Sequence, residues 1–93
     1  MWGNTMQKVV VHERVSIRHP ELEEEDVLAA WGCRIRCQMR MGPWPPQYVA
    51  IGFDGKGRSI EMVAVYDPMA DETLIFHANT PVTGNVRKEL SID

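Results

Sequence analysis

The chain is short of almost everything that announces a familiar chemistry. Of its 93 residues only two are cysteines, Cys33 and Cys37. Their C-x3-C spacing has no second pair, so a zinc site would have to borrow His12, His19 or His77. If the segment is a strand, the two sulfurs lie on one face about 13 Å apart, too far for a disulfide, and buried free thiols are the expectation. Long hydrophobic runs are missing as well. The longest, Val27 to Trp31 and Met62 to Tyr66, hold five residues each, against the roughly twenty that span a bilayer. Met1 to Gln7 carries no signal-peptide core, and the expectation is a cytoplasmic protein with no membrane partner. There is no P-loop, dinucleotide-binding glycine fingerprint or nucleophile elbow, which leaves most familiar enzyme classes unsupported.

Positive charge is also scarce. Ten Lys and Arg face 13 Asp and Glu, for a net charge of −3, a balance that weighs against a nucleic-acid partner. Five of those acids form one short run, Glu21, Glu23, Glu24, Glu25 and Asp26, so ten positive charges face eight negative ones elsewhere. A local basic face remains open. A chain of this size is expected to fold as one domain over residues 1–93. Its core is thin, because a small domain buries only about 60–65% of its unfolded surface, so a partner or a second copy is expected to complete it.

What is present reads as α+β. From Arg34 to Met41, Ile35, Cys37, Met39 and Met41 alternate with Arg34, Arg36, Gln38 and Arg40, the period of a strand with one buried face. The other face then carries Arg34, Arg36 and Arg40, with neighbouring side chains roughly 6.6 Å apart, close to the spacing of phosphates along a nucleic-acid strand. Beyond a proline-rich connector holding Trp44, Tyr48 to Phe53 and Ser59 to Asp67 read as strands joined by the hairpin signature Asp54-Gly55-Lys56-Gly57. Thr73 to Asn79 reads as a further strand. Every connection is too short for a parallel crossover, so a mostly antiparallel four-stranded meander is expected.

Helices flank that sheet. Pro20 and the acidic run precede Val27, Leu28 and Trp31, with Gly32 placed to end a short helix whose dipole the acids complement. Val9 to His19 fits a strand and a helix equally. Thr83 is placed to cap a last helix, Gly84 to Leu90, with Val86 and Leu90 inward and Arg87 and Lys88 outward.

Two stretches in this frame carry a resemblance. His12 to Val27, HERVSIRHPELEEEDV, resembles the helix-turn-helix opening of small bacterial toxins of the BrnT group and their relatives in the RelE-like superfamily. Tyr48-Val49-Ala50-Ile51-Gly52, Gly57-Arg58, Val63-Ala64-Val65 and Phe76-His77-Ala78 look like the meander of the same group. The resemblance covers residues 7 to 90. It implies a RelE-like fold and the toxin half of a toxin–antitoxin pair: a ribonuclease acting on messenger RNA, on the ribosome or off it, needing no metal or cofactor and neutralised by a cognate antitoxin.

Such a reaction requires a base near a ribose 2′-hydroxyl, cations for the developing charge and an acid for the leaving oxygen. His77 is the candidate base or acid, since histidine is the side chain suited to proton transfer near neutral pH, and Phe76 beside it offers a stacking surface if its ring is exposed. Arg58, in the matched Gly-Arg pair, can grip a phosphate with its planar fork. Arg34, Arg36, Arg40, Arg87 and Lys88 are the candidate RNA-binding residues. Trp44 is the candidate anchor for a protein partner, antitoxin or second copy, because exposed aromatics concentrate binding energy. His12 and His19 are weaker candidates, the latter constrained by Pro20. The alternative is a non-catalytic interaction module on the same fold, with its histidines structural.

Overall fold

The computed structural model describes residues 8–42 and 44–92. In chain order its elements are β1 (Lys8–Val11), α1 (Glu13–Arg18), α2 (Glu24–Gly32), β2 (Arg34–Arg40), β3 (Gln47–Phe53), β4 (Ser59–Asp67), β5 (Glu72–Asn79) and α3 (Gly84–Glu89). The architecture is α+β, with one mixed five-stranded sheet in the order β1-β5-β4-β3-β2.

The expected meander is present as β2 to β5, all antiparallel. The expectation of four strands falls one short, because β1 adds to β5 in parallel. Its segment is the one with two periodicities, and each operates in turn. Val9 and Val11 pack from the strand against the core, and Val15, buried, does so from α1. His12 makes the change of direction by capping α1, its Nδ1 accepting the Arg14 N–H at 3.0 Å. From β1 the chain lays α1 and α2 over one face of the sheet and enters β2 at the opposite edge.

The two faces have separate cores. Leu22, Val27, Ala30 and Trp31 meet Ala50, Ile60, Met62, Ala64, Ile75 and Ala78 under α1 and α2. On the reverse face Val86 and Leu90 of α3 and its C-terminal cap pack on Val49, Ile51 and Val63. The approach of α2 to the sheet depends on Gly52, where a Cβ would lie 2.0 Å from the Ala30 carbonyl oxygen.

Two bulges change which way side chains face. In β2 the register slips between Arg34 and Arg36, so Arg34 shares the α2 face with Cys37, whereas Arg36 and Arg40 reach α3. The arginines therefore do not form one row, contrary to the alternating pattern. Nor is the opposite face of β2 buried. Ile35, Met39 and Met41 are exposed, as are the free thiols of Cys33 and Cys37, because β2 is an edge strand. In β5 the slip falls between the pairs Val63–His77 and Ala64–Ile75. Phe76 is the inserted residue, and both it and His77 face α3.

Candidate functional site

The bulge in β5 aims His77 at Glu61 of the neighbouring strand. Histidine Nε2 and carboxylate Oε2 are 2.8 Å apart, and the other carboxylate oxygen accepts the Thr83 N–H at 2.7 Å. Glu61 is buried. Burial pushes its pKa up, but the hydrogen bonds from His77 and Thr83 outweigh this and hold it below the usual glutamate value. An ionised carboxylate only accepts, so His77 donates through Nε2–H and its Nδ1 is left as the free nitrogen. That nitrogen is a base when the ring is neutral and a donor when it is protonated. Glu61 fixes the tautomer and orients the ring, the part a carboxylate plays behind a catalytic histidine elsewhere.

This pair opens into a shallow groove of about 300 Å³ on the α3 face, whose lining includes Arg14, Arg40, Glu61, Phe76, His77 and Val86. Arg14 reaches it from α1. Arg40 is gripped by Glu89 through two parallel bonds of 2.8 and 2.9 Å; two of its five N–H donors are thereby used and three are left. Chemically the groove offers a base or acid, a buried carboxylate behind it, cations on two sides and the half-buried ring of Phe76.

The remaining sequence candidates divide by location. Arg36 donates to the Leu90 carbonyl at 3.3 Å, and Arg87 and Lys88 are exposed on α3, all on the same side of the sheet as His77. Arg34 lies on the other side. Arg58 is not brought to His77: it stands just before β4, five residues from Val63, the register partner of His77, or roughly 16 Å along the chain. All three guanidinium nitrogens of Arg58 are bonded. Nε reaches Asp54 at 2.8 Å, Nη1 the Glu21 carbonyl at 3.0 Å and Nη2 Asp26 at 3.0 Å. Lys56 adds a second cation to Asp26 at 3.3 Å. This network clamps the β3–β4 hairpin to the start of α2. His12 caps α1, and His19 lies 3.5 Å from Glu21. Trp44 stands almost fully exposed beside Met69, over a cavity of about 560 Å³ that includes Val65, Pro68 and Leu74. Among the described residues no cluster of three potential metal ligands occurs.

Glu61 and Arg14 were not singled out from the sequence. Glu61 sits between two apolar residues at a position that turns inward, and a lone acid in a buried strand was the available signal. Arg14 carried no local signal, since only the fold brings α1 to the edge of the His77 groove. No family model, curated protein or solved structure matches the chain.

Proposed function

We propose that the chain is a small ribonuclease with a RelE-like fold, acting on messenger RNA as the toxin of a toxin–antitoxin pair. The observation that carries this reading is the His77–Glu61 pair, which opens into a groove flanked by two arginines. In it, Nδ1 of His77 takes the proton of a ribose 2′-hydroxyl as the oxygen attacks the adjacent phosphorus. Arg14 and Arg40 hold the phosphate as negative charge builds, and the imidazolium then protonates the leaving 5′-oxygen. The products are a 2′,3′-cyclic phosphate and a free 5′-hydroxyl. Arg36, Arg87 and Lys88 extend the phosphate-binding face, and a cognate antitoxin covers it. Arg58 acts here through the scaffold.

Tightly controlled expression in a bacterial host tests the biological half of this reading, because living cells supply ribosomes and messages together. The unmodified chain is expected to arrest growth, and His77→Ala at matched soluble level is expected to permit it. Arrest by both variants would move the site; growth with both would overturn the toxin.

A second reading has its own observation. Trp44 and Met69 expose 84% and 94% of their surface beside the cavity over Val65 and Leu74, an arrangement that suits a protein partner. A non-catalytic interaction module would use that end of the sheet and leave His77 as a structural residue.

A further inference from the structure

On the face away from His77, α2 ends at Gly32 and leaves part of the sheet uncovered. There Trp31, Arg34, Cys37, Tyr48, Tyr66 and Thr73 line an open groove of about 290 Å³. None of them takes part in the chemistry assigned to His77. Three of the six are aromatic, in a chain with only 8% aromatic residues, and one is a cation.

The cation is held in place by its own neighbourhood. Its guanidinium carbon lies 4.4 Å from the centroid of the Trp31 ring, and Nη1 donates to the Trp31 carbonyl at 2.7 Å. Arg40 and Arg58 each have a carboxylate partner, but among the described residues no ion pair neutralises Arg34. The side chain is thus oriented, its charge is uncompensated, and its remaining N–H groups are free for an acceptor. At the other side of the groove Tyr66 is fixed, donating its hydroxyl to Asp71 at 2.7 Å. That carboxylate repels an anion, so a polar ligand has one favourable direction, with its negative end at Arg34.

We infer that this groove binds a small planar aromatic anion, its ring against the half-buried Tyr48 and Tyr66 beside the Arg34-covered Trp31, and its carboxylate or phosphate on Arg34. Aromatic walls favour a flat ring in offset or edge-to-face contact, and the arginine fork matches a planar oxyanion. The volume lies at the lower edge of the ~300–1,000 Å³ typical of small-molecule sites, which suits one ring system with one anionic substituent. An aromatic carboxylate and a nucleoside monophosphate share this chemistry.

The test is an NMR titration of the whole chain, following the indole N–H of Trp31, assigned through Trp31→Phe. The probes are indole-3-carboxylate, the uncharged indole-3-carboxamide, a nucleoside 5′-monophosphate and the bare nucleoside. Each anion that binds is expected to shift the Trp31 signal at least about tenfold more tightly than its neutral counterpart, the worth of one charge-assisted hydrogen bond. Whichever anion binds more tightly identifies the source. Arg34→Gln is expected to erase the preference for the anion, and Arg18→Gln, on exposed α1, to leave it intact. Equal affinity for acid and amide, shifts that spare Trp31, or no binding by any probe at millimolar concentration would overturn the proposal. The acid–amide comparison needs no substitution, so it decides the matter even if Arg34→Gln does not fold.

Discussion

His77 and Glu61 are 16 residues apart in the chain and 2.8 Å apart in space. Two local features join them. The bulge at Phe76 turns His77 onto the α3 face, and the Thr83 N–H, at the start of α3, holds the second oxygen of Glu61. Bulges recur beside active sites because one extra residue re-aims a side chain without breaking the sheet. The carboxylate is thus fixed from two sides before any substrate arrives.

Glu61→Gln is therefore expected to lower RNA cleavage by about a hundredfold while the chain still folds, because the amide keeps an oxygen for Thr83 but no longer enforces the reactive tautomer of His77. Single-turnover cleavage rates, with circular dichroism as the control for folding, check this. An unchanged rate would detach Glu61 from the chemistry.

Arg14 is expected to act on phosphate rather than on folding. Arg14→Ala should weaken RNA binding regardless of sequence and reduce the slope of log affinity against log salt by about one. Filter binding or fluorescence anisotropy across a salt series measures both. Arg58→Gln, whose wild-type guanidinium is engaged with Asp54, Asp26 and Glu21, should leave the slope unchanged.

The effect of Arg58→Gln belongs instead to stability. Removing it leaves the buried carboxylates of Asp26 and Asp54 without their main cation, and the melting midpoint is expected to fall by more than about 10 °C. The same network sets an acid limit. The Glu23 backbone N–H, partly opposed by burial and helped by Lys56 and Arg58, lowers the pKa of Asp26. At Asp54 burial pushes upward, and the backbone and side-chain bonds from Arg58 and the Lys56 N–H more than offset it. Both pKa values are depressed on folding. Their stabilisation is complete above the unfolded aspartate value near 3.9 and is lost as pH falls through the lower folded values. Thermal melts between neutral pH and about pH 2 should show a steep loss below about pH 4 in the wild type and a shallower one in Arg58→Gln.

Gly52→Ala tests the contact between sheet and helix. The added methyl would meet Ala30 backbone atoms at 2.0 and 2.8 Å, and a backbone cannot yield as a flexible side chain does. A loss of about 1–3 kcal/mol in chemical denaturation is expected. A neutral result would mean that α2 sits farther from the sheet.

Much of this was legible in the residues themselves. The sequence expectation for β4, Ser59 to Asp67, is its observed span, because the glycine hairpin marks the start of the strand and the apolar run Met62 to Tyr66 its body. Thr83 does cap α3. The paired strand β1 was hidden, since four residues that leave directly for a helix show two periods at once. Both bulges were invisible, because a one-residue insertion leaves no mark in composition. Yet the bulges decide that Arg34 parts company with Arg36 and Arg40, and that His77 joins Glu61. Arg58 looked like a phosphate ligand because residue type says nothing of neighbours; Asp26, 32 positions away, became its partner only through the fold.

In the proposed reaction His77 deprotonates the ribose 2′-hydroxyl beside the scissile phosphate. The most direct measurement incubates the purified chain, in the presence of a chelator, with a messenger-like RNA and with the same oligonucleotide bearing one 2′-deoxy residue at the cleaved position. Fragments ending in 2′,3′-cyclic phosphate are expected from the first and none at the deoxy position of the second. The rate for His77→Ala is expected to be at least about a hundredfold lower. Cleavage of the deoxy position, or an undiminished rate in His77→Ala, would contradict the proposed reaction.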